Sequence, residues 1–424
     1  MIFDQARRLI ASRGKPRGTE TIALADALGR VAAETVHAAE DLVPFPRSAM
    51  DGFAVAAGDL RDGEPPQELP LSGAVFAGDA LAVHRSGTAT AVATGAPLPL
   101  GADAVVPIED VLSKDRSIVI KGPVARGDHV FPPGEDARRG DVLAFRGDRL
   151  NAARLALLAA AGTSSLLVFE RPRVGLLCTG EELVDVWQTP RYGQIRNSNA
   201  TLIASIVTSS GARLVSCGRC GDDPTDLRSA LERALGNVDL LVTTGGASAG
   251  PRDRVKEALT DLGARFLFQS VALRPGRPTG FAEIGPVFVA VLPGNPAAAF
   301  VAFSQLVAPL LSRLAGAAPR EHTVAATLRG RIVGKADRHY FVFAKLRQRD
   351  GALAVEPLPD QCSALVATAA RANCLVSVPP AARLYESGDV VLVEVLDWED
   401  VAFDDVGRAD AELFDAPTPE LQER

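Results

Sequence analysis

Apolar positions follow three different patterns along this chain, and each pattern occupies its own stretch. Short apolar runs broken by glycine and proline fill residues 44 to about 140, which predicts a mostly β region. Between 171 and about 316, strand-like runs alternate with helix-like runs, which predicts a doubly wound, largely parallel sheet. Beyond Pro319 the runs alternate like the strands of a small β domain. The expected fold class is therefore a multidomain α/β protein.

Two stretches outside these patterns favour helices. Residues 1 to about 43 carry apolar positions of helical type, such as Leu24 and Leu28. Asn151 is a good helix cap before the run AARLALLAAA, and Gly162 is a good stop after it. Both stretches are expected to contain helices.

The most apolar helical stretch runs over residues 297–314. Ser304, Gln305 and Pro309 interrupt it, and it is shorter than the roughly 20 apolar residues that a membrane span needs. A membrane helix and a buried core helix are both conceivable for such a segment. The polar interruptions favour the core helix, so no membrane contact is expected.

Composition narrows the class of protein further. The net charge of −7 argues against a nonspecific grip on nucleic acid, which needs a basic face. Five cysteines in 424 residues do not make a disulfide framework, and the first residues lack the apolar core of a secretory signal. A cytoplasmic protein is expected.

The strongest candidate for chemistry is the stretch 239–253, DLLVTTGGASAGPRD. A buried strand leads into a glycine-rich turn, and a helix follows. The turn contains Gly245, Gly246, Ser248 and Gly250. Backbone N–H groups at a helix N-terminus suit phosphate or another oxyanion, and Asp253 would place a carboxylate beside that anion. From this segment alone, a plain strand–helix turn is an equally good interpretation.

Three other polar loops also follow predicted strands in the same region. The four loops are residues 179–182, 245–253, 274–278 and 293–296. Ligands of doubly wound sheets bind at the carboxyl ends of the strands. We therefore expect all four loops on one rim, where they would form a site for a small anionic molecule.

Several other features carry less weight. The pair Cys217 and Cys220 has CxxC spacing, but no second pair completes a zinc site, so structural cysteines are the favoured interpretation. The five histidines are scattered, and neither GxGxxG nor a P-loop is present. Carboxylates at Glu109 and at Glu135 with Asp136 suit ordinary solvated turns when each is taken alone.

Seven collinear motifs resemble the molybdopterin molybdenumtransferase family, which includes MoeA and the E domain of gephyrin. The motifs are SAMDGFAV at 48–55, TGAPLPLGADAVVPIE at 94–109, PGEDARRGD at 133–141, TGEEL at 179–183, GGASAGPRD at 245–253, RPGRP at 274–278 and LPGNPAAAF at 292–300. One such string would be weak support, but seven in the same order are specific. The resemblance covers roughly residues 1 to 397.

The resemblance implies an elongated subunit of four parts that forms a homodimer. The parts are a helical domain from the separated segments 1–43 and 141–170, an inserted mostly-β domain at 44–140, a MogA-like α/β molybdopterin-binding domain at 171–318 and a C-terminal β-barrel-like domain at 319–397. Residues 398–424 are expected to be an acidic, flexible tail. In the implied dimer, the β insertion of the partner subunit completes the site.

The implied reaction inserts molybdate into adenylylated molybdopterin. The adenylate is hydrolysed, AMP and molybdenum cofactor are released, and Mg²⁺ assists. A molybdopterin adenylyltransferase is the implied upstream partner that supplies the adenylylated pterin. This chemistry suits the residues, because a phosphoanhydride calls for backbone and basic donors, and its cleavage calls for Mg²⁺ on carboxylates.

The resemblance also implies roles for individual residues. The expected catalytic residues are Asp51, Glu182 and Asp136, and Glu182 and Asp51 are also the expected metal ligands. The expected substrate-binding residues are Thr94, Asp222, Gly245, Gly246, Ser248, Gly250, Asp253, Arg274, Arg277, Pro293, Asn295 and Ser363.

Three departures from the family pattern leave a second function open. The basic loop usually carries lysines where Arg274 and Arg277 stand, and an aspartate usually stands at Asn197. A Gly-Ser-Gly-like turn is usual where this chain has Cys-Ser-Ala at 362–364. The alternative to the enzyme is a diverged or non-catalytic molybdopterin-binding scaffold. A nucleotide-sugar or phosphate-ester enzyme is a third and more remote hypothesis.

Overall fold

The computed structural model describes residues 1–60, 66–246, 254–319, 323–349, 351–381 and 384–401. The chain divides into two compact units. Thr21–Val168 forms one, and Met1–Glu20 together with the chain from Phe169 onward forms the other. Each unit has its own buried apolar clusters.

Of the eight α-helices in the described residues, only Ala152–Ala160 lies within Thr21–Val168. The helices are α1 (Phe3–Arg13), α2 (Ala152–Ala160), α3 (Ser198–Ser209), α4 (Pro224–Ala234), α5 (Val255–Asp261), α6 (Pro296–Ala302), α7 (Ala308–Leu314) and α8 (Val366–Arg371). Asn151 caps α2 by accepting from the Arg154 N–H, as the sequence predicts. A π-helical turn, Phe303–Val307, joins α6 to α7.

The unit Thr21–Val168 is built mainly from short strands. Its strands, with the two that cross its limits, are β1 (Thr19–Ala23), β2 (Val36–His37), β3 (Arg47–Ser48), β4 (Gly52–Val55), β5 (Gln67–Val75), β6 (Ala89–Val92), β7 (Ala104–Pro107), β8 (Val111–Ser113), β9 (Ser117–Ile120), β10 (Val130–Phe131), β11 (Val142–Ala144) and β12 (Ser165–Phe169). Six of them form a sheet in the order β7-β4-β6-β5-β9-β8. The predicted β region is therefore present.

The helical interpretation of residues 1–43 is correct only for α1. Residues 19–23 instead form β1, which pairs with β12, and Leu24–Asp26 is a 3₁₀ turn. Ile22 and Leu24 are two residues apart, which is strand spacing, whereas Leu24 and Leu28 have helical spacing. The mixed spacing explains why periodicity alone misassigned this stretch.

The α/β region begins at β13. Its strands are β13 (Arg173–Thr179), β14 (Leu183–Val184), β15 (Ile195–Arg196), β16 (Arg213–Cys220), β17 (Leu240–Thr244), β18 (Arg265–Phe268), β19 (Leu273–Arg274), β20 (Gly280–Ile284) and β21 (Val287–Leu292). The main sheet has the order β16-β13-β17-β21-β20-β18. The first four strands in that order are parallel, and β20 and β18 run antiparallel. The predicted doubly wound, largely parallel sheet is confirmed.

Successive residues of the central strands pack on opposite sides of this sheet. Leu176 and Val242 join a cluster that contains residues of α1, α3 and the helix from α6 to α7. Leu177 and Leu241 join a second cluster with α4 and α5. Because both faces are covered, these strands are apolar at consecutive positions rather than at alternate ones.

The strands of the C-terminal region close on themselves. They are β22 (Thr323–Leu328), β23 (Ile332–Val333), β24 (His339–Arg349), β25 (Ala352–Pro357), β26 (Cys374–Val378), β27 (Leu384–Tyr385) and β28 (Val390–Val395). The order β24-β25-β22-β28-β26 returns to β24 through a β24–β26 pairing. The predicted β-barrel-like domain is therefore a closed barrel of five strands, and its interior is a separate apolar cluster.

The apolar stretch 297–314 lies in a continuous helical run, Pro296–Leu314. By length and composition this run could cross a membrane, although 67% of its most apolar 18-residue window is buried inside the protein. Phe303, Leu306 and Leu310 pack in the same cluster as the sheet residues. The buried packing agrees with the core-helix interpretation.

Candidate functional site

The ends of β13 and β16 hold two acidic loops together. The Gly180 N–H donates to the Cys220 carbonyl at 3.1 Å. The Asp222 N–H donates to Oε1 of Glu181 at 2.9 Å. These bonds place Asp222 against the loop that carries Glu182, on the carboxyl-end rim of the sheet.

Gly245 lies at the end of β17, where no larger residue fits. Its φ is +88°, and a Cβ there would lie under 3.0 Å from the Thr179 carbonyl oxygen. A Cβ on Gly294, after β21, would lie 3.5 Å from Cα of Gly245. Gly246 also has a positive φ, +59°, and its Cβ would meet the Val255 side chain. The loops after β13, β17 and β21 therefore touch, and glycine permits that approach.

Ser248, Gly250 and Asp253 lie outside the described residues.

The loop after β21 meets the C-terminal region at Ser363. Asn295 Nδ2 donates to Ser363 Oγ at 3.2 Å, and the Ala297 N–H donates to the Ser363 carbonyl at 3.1 Å. Pro293 is buried beside them. Neither Cys362 nor Ala364 has a positive φ, so this turn forms without the usual glycines. The hydroxyl of Ser363 is thereby held at the same rim.

Glu182 presents an exposed carboxylate at this rim. The carboxylate folds back over Gly180, with Oε2 only 2.5 Å from the position of an added Cβ. Within the described residues, its side chain makes no hydrogen bond, although its carbonyl accepts from the Ile195 N–H at 2.8 Å. This carboxylate is free to bind a metal ion or water.

The basic loop 274–278 does not follow a strand of the main sheet, which corrects the expectation for one of the four loops. It follows β19, which pairs with β24 of the barrel sheet. The Arg274 guanidinium lies over the Tyr340 ring at 4.7 Å, and Arg277 is exposed. Lys256 in α5 donates to the Pro278 carbonyl at 3.0 Å. The loop is thus tied to the helix that comes after the glycine-rich turn.

In the other unit, Asp51 and Thr94 are in direct contact. Asp51 Oδ1 accepts from the Thr94 N–H at 2.7 Å and from its hydroxyl at 3.0 Å. These two bonds, the backbone bond first, hold the pKa of Asp51 below its ordinary value of 3.8. Asp51 is therefore an exposed, ionised carboxylate of fixed orientation.

Asp136 lies in a loop that begins beside the same motif. Strand β10 pairs with β3, so Val130 lies opposite Ser48, and the Ala49 N–H donates to the His129 carbonyl at 2.9 Å. The Asp136 carboxylate is exposed and makes no hydrogen bond within the described residues. Its role remains a prediction.

Replacing Thr94 by valine is expected to raise the pKa of Asp51. The variant removes the hydroxyl donor and keeps the backbone donor, so the pKa should rise but stay below 3.8. A carboxyl whose pKa is lowered by folding stabilises the fold at pH values above its unfolded pKa. That contribution is lost as pH falls through the folded pKa, and in the variant it is smaller and is completely lost at a higher pH. A carboxyl ¹³C titration by NMR measures the shift, with Glu68 as the control that should not move. An unchanged Asp51 pKa would show that the hydroxyl bond is absent in solution.

The sequence interpretation did not name two residues of the rim, Glu181 and Asn199, as site residues. A third residue, Asn197, caps a helix. Glu181 was seen only as part of a motif, yet it holds Asp222 in place. Asn199 donates to the Gly294 carbonyl at 2.7 Å, and its buried Oδ1 has no partner in the described part of the chain. Asn197, where the family usually has aspartate, caps α3 by accepting from the Ala200 N–H. Asparagine caps helices as well as aspartate does, so the residue that departs from the family pattern keeps this local role.

The described residues contain no group of three or more histidine, cysteine, aspartate or glutamate side chains that could hold a metal ion. Cys217 and Cys220 lie three residues apart on the extended strand β16, and both thiols are free. Burial, with nearby carboxylates, raises the pKa of Cys220 to about 11. A protonated thiol is a poor nucleophile, which agrees with the interpretation of structural cysteines.

Comparison with known proteins covers nearly the whole chain. Residues 1–162 match the family described as "MoeA N-terminal region (domain I and II)". Residues 175–313 match "Probable molybdopterin binding domain", and residues 325–396 match "MoeA C-terminal region (domain IV)". The matches follow each other in the order of the fold.

Individual relatives agree with these domain matches. The molybdopterin molybdenumtransferase of Bacillus subtilis is 34% identical over 399 residues, which are 92% of this chain and 93% of that protein. Molybdopterin molybdenumtransferase 1 of Mycobacterium tuberculosis is 33% identical over 93% of this chain and 98% of its own. The crystal structure of the molybdopterin biosynthesis MoeA protein from Pyrococcus horikoshii OT3 has a TM-score of 0.81 at 27% identity, over 93% and 99% of the two chains. The chain therefore belongs to the MoeA family of molybdopterin molybdenumtransferases, which are transferases of molybdenum cofactor biosynthesis.

Proposed function

We propose that this transferase inserts molybdate into adenylylated molybdopterin and hydrolyses the adenylate, releasing AMP and molybdenum cofactor. One observation carries the proposal. The loop of Glu182, Asp222, Gly245 and the Asn295–Ser363 pair converge on one rim of the α/β region. Such a rim is where doubly wound sheets bind phosphorylated ligands.

The rim offers donors and acceptors that match such a ligand. The Ser363 hydroxyl and the Asn295 amide supply polar contacts. Arg274 and Arg277 supply positive charge for molybdate or phosphate oxygens. Arginine binds such oxyanions through two parallel N–H donors, so its replacement of lysine is compatible with anion binding.

Magnesium fits the exposed carboxylates. Mg²⁺ is usually bound through one or two carboxylates, with waters and substrate phosphates as the other ligands. Glu182 has a free carboxylate, and Asp51 has an ionised one, so both are suitable oxygen ligands. The ion would supply neutralisation of the charge that develops on the phosphate oxygens. In the proposal, Asp136 assists with water, and Thr94 orients Asp51.

The proposal also covers the oligomeric state, the upstream partner and the cellular compartment. A homodimer, in which the β insertion of one subunit joins the rim of the other, would bring Asp51 to the substrate. A molybdopterin adenylyltransferase would deliver the adenylylated pterin, and the reaction would take place in the cytoplasm. Analytical ultracentrifugation tests the dimer separately from the chemistry.

The test of the reaction is AMP release. Purified protein is mixed with adenylylated molybdopterin, Mg²⁺ and molybdate, and AMP is measured by chromatography. Molybdate-dependent AMP release is expected, and it should stop when EDTA removes Mg²⁺. Tight binding of the adenylylated pterin without AMP release would overturn the proposal and favour the non-catalytic scaffold.

A further inference from the structure

A basic groove crosses the surface of the C-terminal barrel. Two cavities of about 470 and 290 Å³ form it, and both are lined by Arg329, Gly330 and Glu356, so they adjoin there. The basic side chains that line the groove are Arg274, Arg329, Arg331, Lys335, Lys345 and Arg347. Glu356 is the single acidic side chain among the lining residues.

Most of these cations have no carboxylate partner in the described part of the chain. Lys345 Nζ donates to Asp400 Oδ2 at 2.8 Å. Arg329, Arg331 and Arg347 are exposed and make no ion pair within the described residues. Like charges held together in this way repel one another and attract an anion. On a chain of net charge −7, such a concentration of positive charge calls for an anionic partner.

The chain leads from this groove into an acidic stretch. Asp400 pairs with Lys345, and its carbonyl accepts from Asn373 Nδ2 at 2.9 Å. Val401 is only 3% exposed and packs in the barrel core. Residues 402–424 then carry seven acidic and two basic side chains. The acidic stretch therefore starts beside the groove.

We propose that the groove binds an acidic peptide, and that its occupant is this chain's own segment 402–424. The charges are complementary along an extended surface, which fits a peptide with spaced carboxylates. Tethering at Val401 gives the segment an effective concentration in about the millimolar range. Individually weak ion pairs are then enough for occupancy.

The docked segment would compete with anionic ligands. Arg274 lines the groove and also belongs to the loop proposed to bind substrate. Gln361 lines it too, two residues before Ser363 at the rim. This consequence rests on the proposed function, whereas the docking itself does not.

Zero-length cross-linking of the full chain tests the docking directly. A carbodiimide joins a carboxylate to an amine only when the two are in contact. The chain has six lysines: Lys15, Lys114, Lys121, Lys256, Lys335 and Lys345. Mass spectrometry is expected to find carboxylates of 402–424 joined mainly to Lys335, which lines the groove and has no carboxylate partner within the described residues. Equal mixing of isotope-labelled and unlabelled chains identifies couplings between molecules.

Charge reversal supplies the matched control. The double variant R329E/R347E should lower the coupling to Lys335 severalfold. R213E/R233E makes the same double change at exposed positions of β16 and α4, and should leave the coupling unchanged. Circular dichroism verifies that each variant is folded. Coupling spread evenly over all lysines, coupling insensitive to R329E/R347E, or coupling mainly between molecules would each overturn the proposal.

Molybdate binding by equilibrium dialysis tests the competition. The full-length variant D404N/D405N/D410N/E412Q should bind molybdate severalfold more tightly than the unmodified chain. Equal affinity would remove the competition, even if the cross-link to Lys335 persists. The charge-neutralised variant, whose segment should no longer compete, is expected to release AMP. No release from that variant, with the coupling to Lys335 present in the unmodified chain, would leave the docking intact and count against the proposed reaction alone.

Discussion

Replacing Glu182 by alanine is expected to abolish AMP release almost completely. Its carboxylate is exposed at the rim and has no hydrogen-bond partner within the described residues, so the fold does not depend on it. If it holds the metal ion and the water, its loss should lower kcat about a hundredfold or more, as is typical for a positioned catalytic group. Stopped assays of AMP with saturating Mg²⁺ and molybdate provide the measurement.

Two controls separate this effect from a structural one. Glu232 is exposed on α4 and pairs with Arg228, so E232A should change neither Tm nor turnover appreciably. E181A removes the acceptor that holds the Asp222 N–H, and should raise KM more than it lowers kcat. An E182A enzyme with near-normal kcat would place the metal site elsewhere.

The largest effect on the fold is expected from replacing Gly245 by alanine. The new Cβ would lie under 3.0 Å from the Thr179 carbonyl oxygen, and backbone at a buried strand end cannot move away cheaply. The left-handed backbone adds its own cost of about 1–2 kcal/mol, and forced repacking adds about 1–3 kcal/mol. Urea unfolding of the variant should show a large loss of stability, together with weakened binding of the pterin ligand.

Gly263 offers a matched comparison for this variant. Its φ is also +88°, but no atom lies within 4 Å of an added Cβ. G263A therefore measures the backbone cost alone, about 1–2 kcal/mol, and should leave ligand binding unchanged. Equal destabilisation by G245A and G263A would mean that the approach of β13 and β17 is looser than the structure shows.

Local patterns were enough to predict much of the fold. The mostly β region at 44–140 is present as predicted, and α2 begins at its predicted cap, Asn151. Both depend on side-chain periodicity or capping within a few residues, which sequence displays directly. Strand β19 could not be predicted in this way, because Leu273 and Arg274 pair with His339 and Tyr340, 66 residues further along.

The contacts of the candidate site also fall into two groups: those that the sequence pattern predicts, and those that depend on packing between distant stretches of the chain. The carboxyl ends of parallel strands lie at the same edge of a sheet. The proximity of Gly245, Asp222 and the Glu182 loop therefore follows from topology alone. The hydrogen bond from Asn295 to Ser363 depends on how the barrel packs on the α/β region, which no local pattern encodes. The resemblance supplied Ser363 as a candidate, and only the fold supplies its neighbour.

Strand β19 has a practical consequence for dividing this protein. Its backbone bonds to β24 join the α/β region to the barrel, and on its other flank Ile2 bridges to Ala272. Three stretches that are far apart in sequence therefore pair with one another at this point, and Arg274 lies among them. A gene fragment that ends near residue 318, made to express the α/β region alone, would lose the pairing between β19 and β24. It would also expose Leu273, which is fully buried in the intact chain. Domain-swapping or fragment-expression work on this chain should therefore keep the α/β region and the barrel together.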